Sequence, residues 1–279
     1  MHKCTKWAHK IISLQDNEGK WGWFHSLGQH SNSPMTTEQA LRRLQYLGFT
    51  AADDCIQKAI SYMNDCLTGK KEIPDRKEKV QDWPVFSSLI LATWIRRFVK
   101  DNAAANHVAQ QWAEIITSAF GKNQFDYQEY VDTYSKVFRT PPKGARMIGF
   151  TNFYPISLVA GLLSEKTENA FIEYILNNES GIYYVYENKI SAIPKAFQSK
   201  NTSRYLAAIE LLLEYESSRD KLRFVAEWLK ENQNSNGKWD MSSAVNDKVY
   251  FPLSNDWRKA ETRENDCTER ITKILNKLI

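Results

Sequence analysis

The 279-residue sequence contains no apolar run long enough to cross a bilayer. Its longest uncharged apolar stretch extends from Trp83 to Ile95, whereas a membrane-spanning helix needs about 20 apolar residues. The opening segment, MHKCTKWAHK, is amphipathic from the start and has no apolar stretch of the signal-peptide type. We therefore expect a protein without a transmembrane segment, located in the cytoplasm.

Cysteine is scarce, and neither sign of charge forms a block. The four cysteines (Cys4, Cys55, Cys66 and Cys267) contain no CxxC pair, so we expect neither a metal ion nor another cofactor. Lysine and arginine total 37 against 33 acidic residues, and the densest basic segment, KKEIPDRKEK at 70–79, is interrupted by acids. This pattern is typical of a solvated loop and argues against nucleic-acid binding.

Glycine and proline are also few, with 11 and 8 residues, and no segment is rich enough in them to separate domains. We predict a single domain over 1–279, in which 240–279 is a closing segment. Apolar residues recur at helical spacing along most of the chain, and the strand pattern is limited to a short extended piece at 181–189. The predicted fold class is all-α.

The predicted helices are bounded by recognisable capping residues. Thr36 or Thr37, Asp82, and Asn201 or Thr202 precede apolar-periodic segments and are expected to be N-caps. The helices are predicted at 3–14, 35–48, 51–67, 82–98, 103–119, 127–138, 150–163, 167–177, 201–216, 219–232 and 258–278.

A repeated Gln–Gly–Trp pattern is the most specific feature of the sequence. Residues 7–21 read WAHKIISLQDNEGKW and residues 225–239 read VAEWLKENQNSNGKW, so both contain Q-x-x-x-G-K-W. Repeats separated by tens of residues indicate an array built from one supersecondary unit. The residues of the two copies are Gln15, Gly19 and Trp21, and Gln233, Gly237 and Trp239.

Two weaker copies accompany them. In FIEYILNNESGIYY at 171–184, the corresponding residues are Asn178, Gly181 and Tyr183, and WAEIITSAFGKNQF at 112–125 is similar to the opening copy. We interpret the pattern as a structural clasp, in which the Gln amide bonds the end of a helix. Gly then makes the tight turn, and Trp covers the amide.

This pattern resembles the QW motif of squalene and oxidosqualene cyclases, and more broadly the terpenoid cyclase/protein prenyltransferase superfamily. The resemblance implies a single α/α toroid of about five helical hairpins built from repeated units. The segments WDM at 239–241 and FPLSNDWR at 251–258 are also similar to uncharacterised bacterial squalene-cyclase-like proteins. The implied outer helices are 3–14, 51–67, 103–119, 167–177 and 219–232, and the inner ones are 35–48, 82–98, 150–163 and 201–216.

The catalytic motifs of that superfamily are absent from the sequence. There is no DxDD motif, and Asp53 and Asp54 are followed by CIQ rather than by the rest of DDxxD. The segment ENDCTER at 264–270 misses the spacing of the second metal motif. Asp266 and Cys267 are adjacent and no histidine follows, which does not fit the zinc ligands of protein prenyltransferases. The resemblance therefore carries over the fold and no catalytic residue.

Nine Trp, 13 Tyr and 13 Phe favour a cavity lined with rings, whose faces stabilise cations. Our leading hypothesis is a toroid that binds an apolar, isoprenoid-like ligand in its central cavity and, if it is an enzyme, resembles a terpene cyclase or prenyltransferase. Inner-helix N-termini with nearby basic residues would hold an anionic group. The candidate substrate-binding residues are Trp83, Phe153, Tyr154, Arg146, Arg204, Tyr205 and Arg258.

Two other functions remain open. A carbohydrate-active or carbohydrate-binding α/α barrel would need aromatic platforms and, for hydrolysis, two carboxylates across an open cleft. A non-catalytic interaction module would fill its cavity with its own side chains.

His25 and His30 are candidate acids or bases. The Arg- and Asp-rich segment at 250–270 is either a source of general acids or a network that pins the C-terminal tail, with Trp257 as a plug. The sequence leaves the oligomeric state open.

Overall fold

The computed structural model describes residues 2–25, 33–77 and 79–279. Within them the secondary structure is helical, apart from short 3-10 turns and two isolated β-bridges, which confirms the predicted all-α class. The α-helices are α1 (Lys6–Ile12), α2 (Thr37–Tyr46), α3 (Asp54–Leu67), α4 (Trp83–Phe98), α5 (Ala103–Ala119), α6 (Tyr127–Phe138), α7 (Phe153–Val159), α8 (Glu165–Asn177), α9 (Lys200–Leu212), α10 (Ser218–Lys221), α11 (Arg223–Glu231) and α12 (Ala260–Leu278).

Every predicted helical segment overlaps an observed helix. The largest difference in length is at 150–163, where α7 stops early because the chain turns at Gly161, whose φ is +77°. The segment 181–189 is not extended as predicted. It forms a tight turn in which the backbone N–H of Ile182 donates to the carbonyl of Tyr186, at 2.8 Å.

The predicted N-caps are correct for two helices and wrong for a third. Thr36 begins α2 in a capping box with Gln39. Asp82 begins α4 by accepting the N–H of Val85. For α9, the cap is Ser199, whose hydroxyl accepts the N–H of Thr202. Asn201 and Thr202 therefore lie inside the first turn.

The chain forms two compact units, each with its own core. The first comprises Met1–Ile115 and Val131–Ile148, and the second comprises Ile116–Tyr130 and Gly149–Ile279. The single-domain organisation stays a prediction. The fully buried rings of the first unit include Trp21, Trp94 and Trp112, and those of the second include Phe150, Phe171 and Tyr215.

Among the helices that the structure describes, none is both long enough and apolar enough to traverse a bilayer.

The first Gln–Gly–Trp turn ties the end of α1 to the rest of its unit. The indole Nε1 of Trp21 donates to the carbonyl oxygen of Ile11, at 2.7 Å. Carbonyls in the last turn of a helix lack their regular helical partner, and here the buried indole supplies one. The Gln15 amide instead donates to the carbonyls of Gly19, at 3.0 Å, and Cys55 in α3, at 2.8 Å. The cap that the sequence analysis assigned to the Gln amide is therefore supplied by the indole.

The second Gln–Gly–Trp turn has the same geometry at the end of α11. The Nε1 atom of Trp239 donates to the carbonyl of Leu229, at 2.6 Å, and the Gln233 amide donates to the carbonyl of Gly237, at 2.7 Å. The backbone N–H of Trp239 then donates to the hydroxyl of Thr268 in α12, at 3.1 Å. Each indole thus closes one helix and directs the following chain toward another.

The glycines of the two turns differ in their surroundings, which gives a matched test. Gly19 has a φ of +95°, and a Cβ added there would lie 2.5 Å from the carbonyl oxygen of Lys58. Gly237 has a φ of +79°, but its nearest neighbour would be 4.0 Å away. We expect Gly237→Ala to lower the free energy of unfolding by about 1 kcal/mol through backbone strain, and Gly19→Ala by about 3 kcal/mol through strain plus overlap. Urea unfolding measures both, and equal losses would contradict this account.

A polar network attaches α12 to α9 in the second unit. Arg270 is 3% exposed and forms two hydrogen bonds with the carboxylate of Glu210, from Nε at 2.8 Å and from Nη2 at 2.9 Å. It also donates to the hydroxyl of Ser203, at 3.2 Å. The guanidinium lies over the rings of Tyr250 and Phe251, at 5.2 and 5.1 Å.

Two further carboxylates, those of Asp266 and Asp240, are also engaged within the chain. Asp266 accepts the backbone N–H groups of Leu253 and Ser254, at 3.1 and 2.8 Å. Asp240 forms a bidentate pair with Arg263, with both distances 2.6 Å. These contacts favour the interpretation of the segment as a network that pins the tail.

Removal of the buried arginine is expected to destabilise the second unit strongly. Arg270→Ala removes the two hydrogen bonds to Glu210 and the bond to Ser203, so we expect a loss of about 3 kcal/mol in the free energy of unfolding. Lys273→Ala is the control because it breaks an exposed pair with Glu269 on the same helix and should cost less than about 0.5 kcal/mol. Urea unfolding should separate the two variants. A small effect of Arg270→Ala would show that the network contributes little.

Candidate functional site

Most of the predicted substrate-binding aromatics are part of the core. In the second unit, Tyr205 is fully buried and its hydroxyl donates to the carbonyl of Ile190, at 3.1 Å. Phe153 and Tyr154 are also buried, with ring centroids 5.4 Å apart. In the first unit, by contrast, Trp83 is half-buried. It is therefore the predicted aromatic best placed to meet a ligand.

The predicted basic residues are exposed. Arg146 belongs to the first unit, while Arg204 and Arg258 belong to the second, and each side chain faces solvent. The contacts described for these three residues do not bring them together around an anion. Their role as a diphosphate clamp stays a prediction.

The N-terminal N–H groups of α2 are already bonded within the chain. The N–H of Thr37 donates to the carbonyl of Trp23, at 2.8 Å, and that of Glu38 donates to the carbonyl of Phe24, at 3.1 Å. The next N–H donates to the Thr36 hydroxyl. These groups, which the sequence analysis offered to an anion, instead hold the chain segment that follows the first Gln–Gly–Trp turn.

A cluster of acids and rings surrounds that segment in the first unit. The ring centroid of His25 lies 5.6 Å from that of Phe86, and Phe86 lies 6.4 Å from Trp83. Asp75 is hydrogen-bonded to the same segment. Glu38 lies in the first turn of α2, and the segment lies along that turn. We call this cluster the acid–aromatic site, and it comprises His25, Glu38, Asp75, Trp83, Phe86 and Trp94.

Asp75 is held by the backbone of the segment. Its Oδ1 accepts the N–H of Phe24, at 2.5 Å, and its Oδ2 accepts the N–H of His25, at 2.8 Å. Sequence analysis missed this residue because it lies in the charged stretch at 70–79, interpreted as a solvated loop. The stretch is largely exposed, but Asp75 turns inward to meet two backbone donors. No local pattern of charge reveals such a contact.

Glu38 is the most deeply buried acid of the site. It is fully buried, and its Oε1 accepts the indole N–H of Trp94, at 2.7 Å. The guanidinium groups of Arg42 and Arg97 lie over the ring of Trp94, at 5.8 and 5.9 Å. A carboxyl group in such a position requires hydrogen-bonding partners, which explains why an indole N–H is aimed at it.

Burial raises the pKa of Asp75 above its ordinary value of 3.8, and the negative charge of Glu38 adds to this effect. The N–H groups of Phe24 and His25 and the charge of the imidazole act in the opposite direction without cancelling it. A carboxyl group with a raised pKa keeps its proton at a higher pH than usual and is suited to donate it. His30, the other histidine considered, lies outside the described residues.

Within the described residues, no group of three or more His, Cys, Asp or Glu side chains is arranged to hold a metal ion.

Comparisons of the chain with protein-family models, curated proteins and solved structures find no match. The resemblance to the terpenoid cyclase/protein prenyltransferase superfamily therefore rests on the sequence motifs alone.

The direction of the Asp75 shift predicts a pH dependence of stability. Because its pKa is higher in the folded protein, the folded state binds this proton more tightly than the unfolded chain does. As the pH rises from 3.8 through the raised pKa, this advantage is lost. We expect the free energy of unfolding of the wild type, minus that of Asp75→Asn, to fall as the pH rises through this window and then to level off. Urea unfolding of both proteins at a series of pH values measures this difference.

Asp240→Asn supplies a control of opposite sign. Its hydrogen bonds with Arg263 lower the pKa of Asp240 below 3.8. Its contribution to stability is therefore complete above 3.8 and is lost as the pH falls through the lowered pKa. The free energy of unfolding of the wild type, minus that of Asp240→Asn, should therefore rise with pH. If the Asp75 difference rose in the same way, the backbone N–H bonds would outweigh burial, and the pKa of Asp75 would be lowered instead of raised.

Proposed function

We propose that the protein binds an apolar, isoprenoid-like ligand at the acid–aromatic site. The observation that carries the proposal is the half-buried carboxyl group of Asp75, which accepts the backbone N–H of His25 and whose pKa is raised. The ring of His25 in turn begins a row of rings with Phe86 and Trp83. Rings offer apolar area to a hydrocarbon chain, and their negative faces attract a developing cation. The mixture of one acid and several rings suits an unsaturated hydrocarbon better than a polar substrate.

We propose further that the fold is an α/α toroid related to the terpenoid cyclases and protein prenyltransferases. The two Gln–Gly–Trp turns support it because both indoles bond a carbonyl of the preceding helix and both Gln amides bond the Gly carbonyl. In this arrangement, α1, α3, α5, α8 and α11 are the outer helices, and α2, α4, α7 and α9 are the inner ones.

If the protein transforms its ligand, Asp75 is the residue to which we assign the acid. Protonation of a carbon–carbon double bond by its carboxyl group forms a carbocation and leaves the carboxylate, which the N–H groups of Phe24 and His25 stabilise. The rings of Trp83 and Phe86 would stabilise the cation. Ligand binding is the main proposal, because the sequence lacks the catalytic motifs of the superfamily.

The geometry of this site favours the isoprenoid hypothesis over a glycoside hydrolase. A hydrolase needs two carboxyl groups that reach the substrate across an open cleft. Glu38 is fully buried and is bonded to the indole of Trp94, so it does not offer such a pair with Asp75. An interaction module without a ligand remains an outcome of the test below.

A thermal-shift experiment tests the proposal. The probes are farnesyl and geranylgeranyl diphosphate, each with and without Mg²⁺, together with farnesol and squalene. A ligand at about 100 times its dissociation constant adds roughly 2.7 kcal/mol to the free energy of unfolding, which corresponds to a rise of several degrees in Tm. We expect such a rise with at least one of these probes.

The variant that connects the shift to the site is Trp83→Ala, which should remove most of the ligand-induced rise in Tm. Trp7→Ala is the matched control because Trp7 is another half-buried tryptophan, on α1, and does not belong to the acid–aromatic site. A rise that persists in Trp83→Ala would place the ligand elsewhere. If no isoprenoid raises Tm, the proposal is wrong and an interaction module is the better explanation.

A further inference from the structure

The second unit contains an open groove of about 530 Å³ between the loop that follows α5 and one face of α8. From α8, the lining residues are Ala170, Glu173, Tyr174 and Asn177. Their spacing of three and four residues places them in one stripe along the helix. Ala170 is the smallest member of the stripe, and its short side chain leaves the space open.

Two half-buried rings form the apolar part of the groove. Phe125, from the loop, and Tyr174, from α8, have ring centroids 5.2 Å apart and planes inclined by 38°. Phe120 lies behind them, nearly fully buried, at 5.8 Å from Phe125 and 5.4 Å from Tyr174. The buried ring supports the two outer ones, so together they form a firm platform that is open to solvent.

Amide side chains surround this platform. Asn123, Gln124 and Asn177 are exposed, and their side chains make no hydrogen bond to the described part of the chain. Within the described residues, the hydroxyl group of Tyr174 also makes no hydrogen bond. Burial raises the pKa of Tyr174, so this hydroxyl keeps its proton and can donate a hydrogen bond. The groove therefore offers uncommitted donors and acceptors beside a ring surface.

The acids of the groove are balanced by lysines. Glu173 pairs with Lys221, at 2.5 Å, and Glu179 pairs with Lys189, at 2.6 Å. Each carboxylate thus has a cation from outside the lining. When these two lysines are counted with the lining, the formal charges at the groove cancel, so the groove is matched to a neutral ligand.

The loop that carries Asn123 to Phe125 is fixed by its own hydrogen bonds. The N–H of Asp126 donates to the carbonyl of Ala119, at 2.8 Å, and closes the loop. The Asp126 carboxylate accepts the N–H groups of Gln128 and Glu129 in the first turn of α6. Asn123 has a left-handed φ of +64°, a conformation that asparagine tolerates better than most residues. A fixed loop lowers the entropy that binding must overcome.

We propose that this groove binds a neutral oligosaccharide. The apolar C–H face of a pyranose ring fits on Phe125 and Tyr174, while its hydroxyl groups exchange hydrogen bonds with Asn123, Gln124 and Asn177. Because both acids are held by lysines, the proposed role is binding and not cleavage. The proposal is independent of the isoprenoid site, which uses other residues in the other unit.

The test is isothermal titration of the purified protein with maltohexaose, cellohexaose, xylohexaose and chitohexaose, and with hexagalacturonate as the charged comparison. We expect binding of at least one neutral oligosaccharide and weaker binding of the galacturonate. Phe125→Ala and Asn177→Ala should each raise Kd by about tenfold for the loss of one ring or one amide. Ala170→Leu should abolish binding by filling the groove without removing any contact.

Two exposed residues outside the groove lining serve as controls. Tyr127→Ala removes an exposed ring and Gln110→Ala removes an exposed amide, and both should leave Kd within twofold of the wild type. Circular dichroism melting identifies variants that fail to fold. If Phe125→Ala does not fold, the Kd values of Ala170→Leu and Asn177→Ala test the proposal. The proposal is overturned if no neutral oligosaccharide binds, if hexagalacturonate binds more tightly than all of them, or if binding survives Ala170→Leu.

Discussion

The hydrogen bond from an indole N–H to a carbonyl at a helix end is the contact on which both units depend. In the first unit, Trp21 bonds Ile11, and the chain then continues as the segment that lies along the start of α2. That segment supplies the backbone donors for Asp75. In the second unit, Trp239 bonds Leu229 and begins the stretch that α12 holds. A fully buried indole shields its bond from water, so the direction of the chain after each helix is fixed firmly.

The weaker copies of the pattern show what happens without the tryptophan. Asn178 still donates to the carbonyl of Gly181, at 2.8 Å, so the turn survives. Tyr183, at the position of the tryptophan, is instead 47% exposed. The groove of the second unit is lined by residues of the two weaker copies, within 112–125 and 171–184, together with Ala170. The turn and the covering ring are therefore separable, and where the tryptophan is missing an open groove reaches the end of α8.

Sequence reasoning found the features that depend on local order. Helical periodicity located the helical segments, and the Gln–Gly–Trp spacing located the turns, because these depend on neighbours a few residues apart. It missed Asp75 and the N–H donors that hold it, since they are about 50 residues apart in the sequence and only the folded chain brings them together. It also proposed Tyr205 as a ligand-binding residue, although helical aromatics are as readily core residues. The amides of the groove carry no sequence signal at all.

Asp75 and Asp240 show why the first is a functional candidate and the second is not. Both accept backbone N–H groups, which favour the ionised form. Asp240 also faces Arg263, so its charge is paired and its pKa falls. Asp75 has Glu38 as a charged neighbour, and burial raises its pKa even though two N–H groups favour the anion. A fold under selection for stability alone gains nothing from a half-buried acid whose pKa is raised. A site that supplies a proton requires one, and this conflict between stability and chemistry is why we propose Asp75 as the acid.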